Sequence, residues 1–132
     1  MRKRIAVAAA VLAVSAASLT TPAFASPAVS AAPASVCSEN FGFVLYYNSN
    51  KAGSSACFFV AQNFAGAVFT EPGAGQGQAV KNNAASAENW GTRTARVFYN
   101  SNYAGVYDDV KSHTSRNLVN TYNENASWEW VG

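Results

Sequence analysis

The chain has 132 residues, of which 49% are hydrophobic and 12% are charged, and its formal net charge is +2. This length fits one domain and excludes two full-sized ones. Three of the nine basic residues are Arg2, Lys3 and Arg4; the rest of the chain has six basic and seven acidic residues, a charge of about −1. Because nucleic-acid-binding proteins carry a basic stripe, this charge argues against a nucleic-acid partner.

The first 25 residues have the pattern of an export signal. The basic residues precede an apolar stretch, Ile5–Leu19, and Ala23–Ala25 has the small-x-small form of a signal-peptidase site. The apolar stretch is shorter than the roughly 20 residues that span a bilayer, and no second one follows it. The sequence therefore predicts a signal peptide over residues 1–25 and a secreted, extracellular protein without a membrane anchor. A retained anchor is the alternative.

The region after the signal holds both cysteines of the chain. Residues 26–36 contain only Ala, Ser, Pro and Val, which predicts a flexible leader before a domain over residues 37–132. An even cysteine count in an exported chain usually means a disulfide, so we expect Cys37 to pair with Cys57. A metal pair or a reactive thiol is the alternative, but no histidine or third cysteine lies near either residue.

An internal repeat is the most informative feature of the chain. Tyr47–Gly53 (YNSNKAG) recurs 52 residues later as Tyr99–Gly105 (YNSNYAG), with six of seven positions identical. A second shared block follows in each copy, at Asn82–Ser86 and at Asn123–Ser127. Only the first copy has an extra Gly- and Gln-rich segment, Thr70–Ala79, which we call the insertion. This order predicts a duplicated unit.

The composition of each copy is typical of strands and turns. Runs of Tyr, Phe and Val are bounded by clusters of Asn, Ser and Gly, which signal strands and turns. In the last segment, Ala126, Trp128 and Trp130 alternate with more polar residues, as on a strand. No stretch of the sequence combines a helical spacing of apolar residues with helix-capping residues. We predict an all-β domain of two similar four-strand units packed as sheets, with repeats at about residues 43–90 and 95–131.

The order of aromatic strand, glycine-bearing turn and Asn-Asn-x-x-Ser block resembles the Greek keys of βγ-crystallins. The chain is also similar to the secreted peptidase inhibitors typified by the Streptomyces metalloproteinase inhibitor, which share that fold. These resemblances imply a βγ-crystallin-like fold, in which two Greek-key repeats form a small two-sheet sandwich. They also imply a monomeric inhibitor of an extracellular protease. The resemblance spans essentially all of the mature chain and rests on Asn63–Gly66, Val80–Ser86, Tyr99–Gly105 and Tyr122–Ser127.

The resemblance leaves the target and an alternative function open. Metalloproteases are the target class that the similar inhibitors imply. The alternative is a structural or carbohydrate-binding module of the same fold.

Calcium sites of βγ-crystallins use the signature N/D-N/D-x-x-S/T-S, which both shared blocks match in part. Each block departs from the signature at its sixth position, which is Ala87 or Trp128. Calcium prefers six to eight oxygen ligands that include carboxylates, and only one candidate carries a carboxylate. We therefore expect structural blocks whose Ser closes a backbone hydrogen bond, weak or no calcium binding, and no other cofactor. The candidate ligands are Asn82, Asn83, Ser86, Asn123, Glu124 and Ser127.

The sequence predicts no catalytic residues. His113 is the only histidine, so neither a Ser-His-Asp triad nor a two-histidine site can be built. Asp108 and Asp109 are adjacent, and on a strand they would point to opposite faces; a solvated turn is the favoured interpretation. A ribonuclease built on His113, Arg116, Glu124 and Glu129 is the alternative. We expect a protein that is not an enzyme.

A substrate-like inhibitor needs an exposed loop that is held rigid, and two segments are candidates. One is Cys57, Phe58 and Phe59, where the predicted disulfide would hold large apolar residues, although both Phe residues suit the core equally. The other is Thr70–Gln78 of the insertion, whose glycines predict flexibility. The aromatic residues form either the sheet core, which we favour, or a sugar-binding platform: Tyr46, Tyr47, Phe58, Phe59, Phe98, Tyr99, Tyr107, Trp128 and Trp130.

Overall fold

The computed structural model describes residues 42–132, which form strands and turns without a helix. The predicted signal peptide, the leader and Cys37 lie outside the described residues. In the part that is described, no helix has the length and hydropathy needed to cross a bilayer. The strands are β1 (Phe43–Asn48), β2 (Ala52–Phe58), β3 (Gln62–Asn63), β4 (Ser86–Asn89), β5 (Thr94–Asn100), β6 (Ala104–Val110), β7 (Ser115–Asn117) and β8 (Ser127–Val131).

The strands form two antiparallel four-stranded sheets. Their orders are β2-β1-β4-β7 in the first sheet and β3-β8-β5-β6 in the second. β3 belongs to the first repeat but pairs with β8, and β7 belongs to the second repeat but pairs with β4. The all-β, two-sheet prediction is confirmed. The structure differs from two self-contained units in that each repeat contributes its third strand to the other repeat's sheet.

The repeated YNSNxAG segment forms the same bulged hairpin in both copies. The register shifts between Tyr46 and Asn48 in the β1–β2 pair and between Phe98 and Asn100 in the β5–β6 pair. In the first turn, Asn50 and Lys51 both have left-handed φ, 60° and 58°, and the second turn repeats these angles. Asn tolerates this conformation through its short polar side chain, so the motif itself encodes the turn.

The core lies between the two sheets and is rich in aromatic rings. Phe43 and Trp128 are fully buried, with ring centroids 4.8 Å apart. Trp130 contacts Trp128 edge-on, also at 4.8 Å, which agrees with the alternation predicted for the last strand. Phe58 is only 6% exposed and packs against Phe64 at 5.1 Å. Each such burial contributes about 1.5–3 kcal/mol, so these rings account for much of the sheet packing.

Candidate functional site

The insertion lies along the edge of β2 and is bonded to it. The amide of Ser54 donates to the carbonyl of Ala74 at 2.8 Å, and the Ser54 hydroxyl donates to the carbonyl of Glu71. The carbonyl of Ser55 accepts from the amides of Thr70 and Glu71, at 3.0 and 3.3 Å. An edge strand presents unpaired backbone groups, and here the insertion pairs with them.

The insertion also bonds to itself and is anchored at both ends. The amide of Phe69 donates to the carbonyl of Gln78 at 2.9 Å, and the amide of Gly77 donates to the carbonyl of Phe69 at 2.8 Å. Phe69 and Val80, which flank the loop, are 1% and 0% exposed. The sequence prediction of a flexible loop is wrong, because the glycines serve tight turns and close contacts and the backbone is held by hydrogen bonds.

Gly75 allows the insertion to pack directly on an aromatic ring. A Cβ built on Gly75 would lie 2.1 Å from a ring carbon of Tyr47. The Tyr47 ring also contacts Phe69 edge-on, at a centroid distance of 5.6 Å. Tyr47 is therefore held between the insertion and the core. Most of the insertion nevertheless faces solvent: Thr70, Pro72, Gly73, Ala74, Gln76, Gly77, Gln78 and Ala79 are exposed.

The second candidate segment is divided by the fold. Cys57 is partly buried within β2, opposite Val44 of β1. Phe58 is a core residue, whereas Phe59 is 48% exposed, and its carbonyl accepts a hydrogen bond from Trp130 Nε1 at 3.1 Å. Phe59 lines a cleft of about 300 Å³ with Trp130 and residues 91–93. The structure therefore separates the three candidates, and the Cys37–Cys57 disulfide stays a prediction because Cys37 lies outside the described residues.

The serines of the two shared blocks hold the hairpins together. Ser86 Oγ donates to the carbonyl of Asn48 at 2.6 Å and accepts from the amide of Lys51 at 3.0 Å. Ser127 Oγ makes the same two bonds in the second repeat, to Asn100 at 2.6 Å and from Tyr103 at 3.0 Å. The predicted backbone hydrogen bond of each serine is present.

The remaining calcium candidates are spread over the turns of the two blocks. Asn83 Nδ2 donates to the carbonyls of Ala79 and Lys81, at 2.9 and 3.3 Å. Asn82 and Glu124 line one cleft of about 250 Å³, which also contains the cationic Lys81. Within residues 42–132, no group of three His, Cys, Asp or Glu side chains could hold a metal ion. This donor set suits calcium poorly, and weak or absent calcium binding remains a prediction.

A second cleft, beside Ser86, is more cationic. It is lined by Lys51, Arg116 and four polar residues, Asn50, Ser86, Ser115 and Asn117. Lys51 Nζ forms an ion pair with Glu88 at 3.0 Å. The phenol of Tyr46 donates to the other oxygen of Glu88 at 2.7 Å, and burial together with this hydrogen bond raises the pKa of Tyr46 above its ordinary value.

The adjacent aspartates lie on β6 and not in a solvated turn, so that interpretation is wrong. Asp108 is 2% exposed and accepts hydrogen bonds from the loop that follows β7. Asp109 points to the other face, as predicted, and pairs with Arg96 through bonds of 2.7 and 2.8 Å. The Arg96 guanidinium holds the pKa of the Asp109 carboxyl below its ordinary value. The lone His113 is exposed in the turn before β7.

The aromatic residues divide between core and surface. Phe58, Phe98 and Trp128 are buried, which confirms the core interpretation for these three. Tyr107 is 43% exposed, contacts Phe98 edge-on and lies under Arg96, whose guanidinium carbon is 3.7 Å from the ring centroid. Of the other predicted aromatics, Tyr46, Tyr47 and Trp130 are partly buried, and Phe59 and Tyr99 are exposed.

Comparison with known proteins identifies the family. The model of peptidase inhibitor family I36 matches residues 30–110, more than half of the chain. The chain belongs to peptidase inhibitor family I36. No curated protein shows a significant match to it. Family membership confirms the resemblance seen in the sequence and assigns this I36 protein, in general terms, a role as a peptidase inhibitor with a protease as its partner.

Solved structures place the I36 protein in the βγ-crystallin fold. The N-terminal domain of protein S is 17% identical, with a TM-score of 0.53, over 69% of this chain and 96% of that domain. A chain described in terms of the evolution of the eye-lens βγ-crystallin domain fold is 12% identical, with a TM-score of 0.52, over 68% of this chain and 84% of that one. At these identities the similarity shows the fold alone.

Proposed function

We propose that this I36 protein is a secreted, non-catalytic inhibitor of extracellular metalloproteases and that the insertion contacts the protease. The observation that carries the proposal is that the insertion is both exposed and preorganised. Its backbone is bonded to Ser54 and Ser55 of β2, while the residues from Pro72 to Gln78 other than Gly75 face solvent. A loop already fixed in its bound shape loses less conformational entropy when it enters a cleft.

The segment of Cys57, Phe58 and Phe59 is a weaker candidate for the contact. Phe58 packs against Phe64 and lies 6.3 Å from Trp128 in centroid distance. Presenting Phe58 to a protease would remove it from the core, and truncating a buried Phe typically costs about 3–5 kcal/mol. Phe59 alone is available on the surface.

The proposal is tested by inhibition assays with purified variants against a panel of metalloproteases and serine proteases. Ala74→Arg places a large charged side chain on the exposed insertion and should weaken inhibition of the target about tenfold or more, as substitutions at an interface centre do. Ala65→Arg is the matched control, because Ala65 is also exposed in the first repeat but lies outside the insertion. It should leave inhibition unchanged.

A third variant, Phe59→Ala, separates the two candidate segments. If the insertion is the contact, Phe59→Ala inhibits like the parent protein, and melting curves show that all variants are folded. Loss of inhibition in Phe59→Ala together with full inhibition by Ala74→Arg would move the contact to Phe59. Absence of inhibition by the parent protein across the whole panel would refute the proposed function itself.

A further inference from the structure

The duplication creates two copies of one tyrosine-bearing recess, and only the first is filled. In the first repeat, Gly75 of the insertion packs on the ring of Tyr47. Tyr99 occupies the same position of the motif in the second repeat, which has no insertion. Tyr99 is 41% exposed.

The backbone beside the two tyrosines is also alike. Gly53 and Ser54 fall in the register irregularity of the β1–β2 hairpin, where these two residues lie against the single residue Tyr47 of β1. Ala74 of the insertion bonds to the amide of Ser54 at this point. Gly105 and Val106 fall at the same irregularity of the β5–β6 hairpin, and Val106 is 58% exposed.

Further along the edge, the second repeat replaces the insertion with side chains. Asn120 Nδ2 donates to the carbonyl of Tyr107 at 2.9 Å, the position where Ser55 accepts from the insertion in the first repeat. Arg116 donates to the carbonyl of Asp109 at 3.0 Å. These bonds cover the edge of β6 from Tyr107 onward and leave the recess at Tyr99 and Val106 uncovered.

We propose that Tyr99, Gly105 and Val106 form a binding site for a glycine-containing turn of a partner protein. The insertion shows what this recess accepts: a glycine over the tyrosine ring, where a Cβ would collide, and a carbonyl bonded to the backbone at the bulge. The insertion meets this edge as a turn, with Gly75 in the left-handed region. The site lies in the second repeat and is separate from the proposed protease contact.

A synthetic peptide with the sequence of residues 70–79 serves as the probe. It is titrated into isotope-labelled protein, and backbone NMR signals are followed. We expect saturable shifts at Tyr99, Gly105 and Val106 with a dissociation constant in the millimolar range, typical of a short peptide without a tether. Tyr99→Ala should weaken binding about tenfold. Tyr122→Ala, which alters an exposed tyrosine outside the proposed site, should not.

Variants of the peptide test the glycine requirement. A peptide with Gly75→Ala should lose binding because its Cβ meets the ring, whereas one with Gly77→Ala should retain it, because Gly77 has open space around it. The proposal is overturned if no signal saturates, if the shifts persist in Tyr99→Ala, or if both peptide variants bind equally. Shifts at Tyr99 caused by chito-oligosaccharides and not by the peptide would also overturn it, in favour of a glycan site.

Discussion

The buried carboxylate of Asp108 accepts hydrogen bonds from both the amide and the hydroxyl of Thr121, at 2.9 and 2.8 Å. The same oxygen accepts from the amide of Val119 at 3.1 Å. At the corresponding positions the first repeat has Ala56 and Val80, which both belong to the apolar core. The second repeat therefore closes its shorter loop with a polar pair where the first repeat has two apolar core residues.

Replacing Asp108 by Ala should lower the free energy of unfolding by about 3 kcal/mol, since it leaves buried donors without acceptors. Thr121→Val removes one donor and should cost about 1 kcal/mol. Urea unfolding curves measure both changes. The control is Asp109→Ala, which should cost less than about 1 kcal/mol because Asp109 pairs with Arg96 at the surface. Equal losses at the two aspartates would contradict this assignment.

Gly75→Ala should destabilise the protein by about 1–3 kcal/mol more than Gly77→Ala. Both glycines have left-handed φ, 86° and 82°, so the backbone strain of substitution is similar at the two positions. They differ in that a Cβ on Gly75 meets the Tyr47 ring and one on Gly77 meets nothing within 4 Å. Thermal melting of the two variants measures the difference. Identical melting temperatures would show that the insertion does not pack on Tyr47.

The Arg96–Asp109 pair should make stability depend on pH in the acid range. Because the Asp109 pKa is lowered in the folded state, the pair contributes stability above the unfolded carboxyl pKa of about 4. This contribution is lost as the pH falls through the folded pKa. Asp109→Asn should therefore lower the free energy of unfolding slightly at neutral pH, by less than about 1 kcal/mol. It should also flatten the acid limb of the curve of unfolding free energy against pH. Unfolding curves from neutral to acid pH test this, and an unchanged acid limb would count against it.

A disulfide between Cys37 and Cys57 should be present in the exported protein. Reducing it should lower the stability by about 2–4 kcal/mol, because the bond restricts the unfolded chain. A thiol assay on denatured, unreduced protein should find no free thiol. Two thiols per chain would exclude the bond, and Cys57→Ser, which cannot form it, provides the reference for the stability measurement.

Calcium should bind weakly or not at all. The cleft that contains Asn82 and Glu124 offers one carboxylate and includes Lys81, whose charge opposes a divalent cation. Isothermal titration calorimetry should show no heat of binding in the micromolar range. A calcium-dependent rise in melting temperature that Glu124→Gln abolishes would establish a site there.

Local sequence determines much of this fold, because its turns depend on residues close together in the chain. The left-handed residues at Asn50 and Asn102, and the serines at positions 86 and 127, make the hairpins recognisable from the repeat alone. The burial of Asp108 was not predictable from a single copy, since its partner Thr121 is 13 residues away. Comparison of the copies does carry a signal, because Ala56 and Val80 change together to Asp108 and Thr121.

Amino-acid composition predicts the wrong flexibility for the insertion, and it does not predict the order of the strands. The three glycines of the insertion predict a flexible loop, yet the contact with Tyr47 requires a glycine at position 75. That contact joins residues far apart in the chain, so neither hydrophobic periodicity nor turn residues in the sequence predict it. The placement of β3 and β7 depends likewise on the packing of one repeat against the other, with only two or three residues in each strand.

The exchange of β3 and β7 between the sheets bears on how such a chain could arise. A single repeat without its partner would lack the strand that completes its sheet, so two separate copies would have to associate to satisfy the same pairing. Joining the copies in one polypeptide replaces that encounter with an intramolecular one at high effective concentration. Tandem duplication would thereby turn a dimer that dissociates on dilution into a fold whose stability is independent of protein concentration.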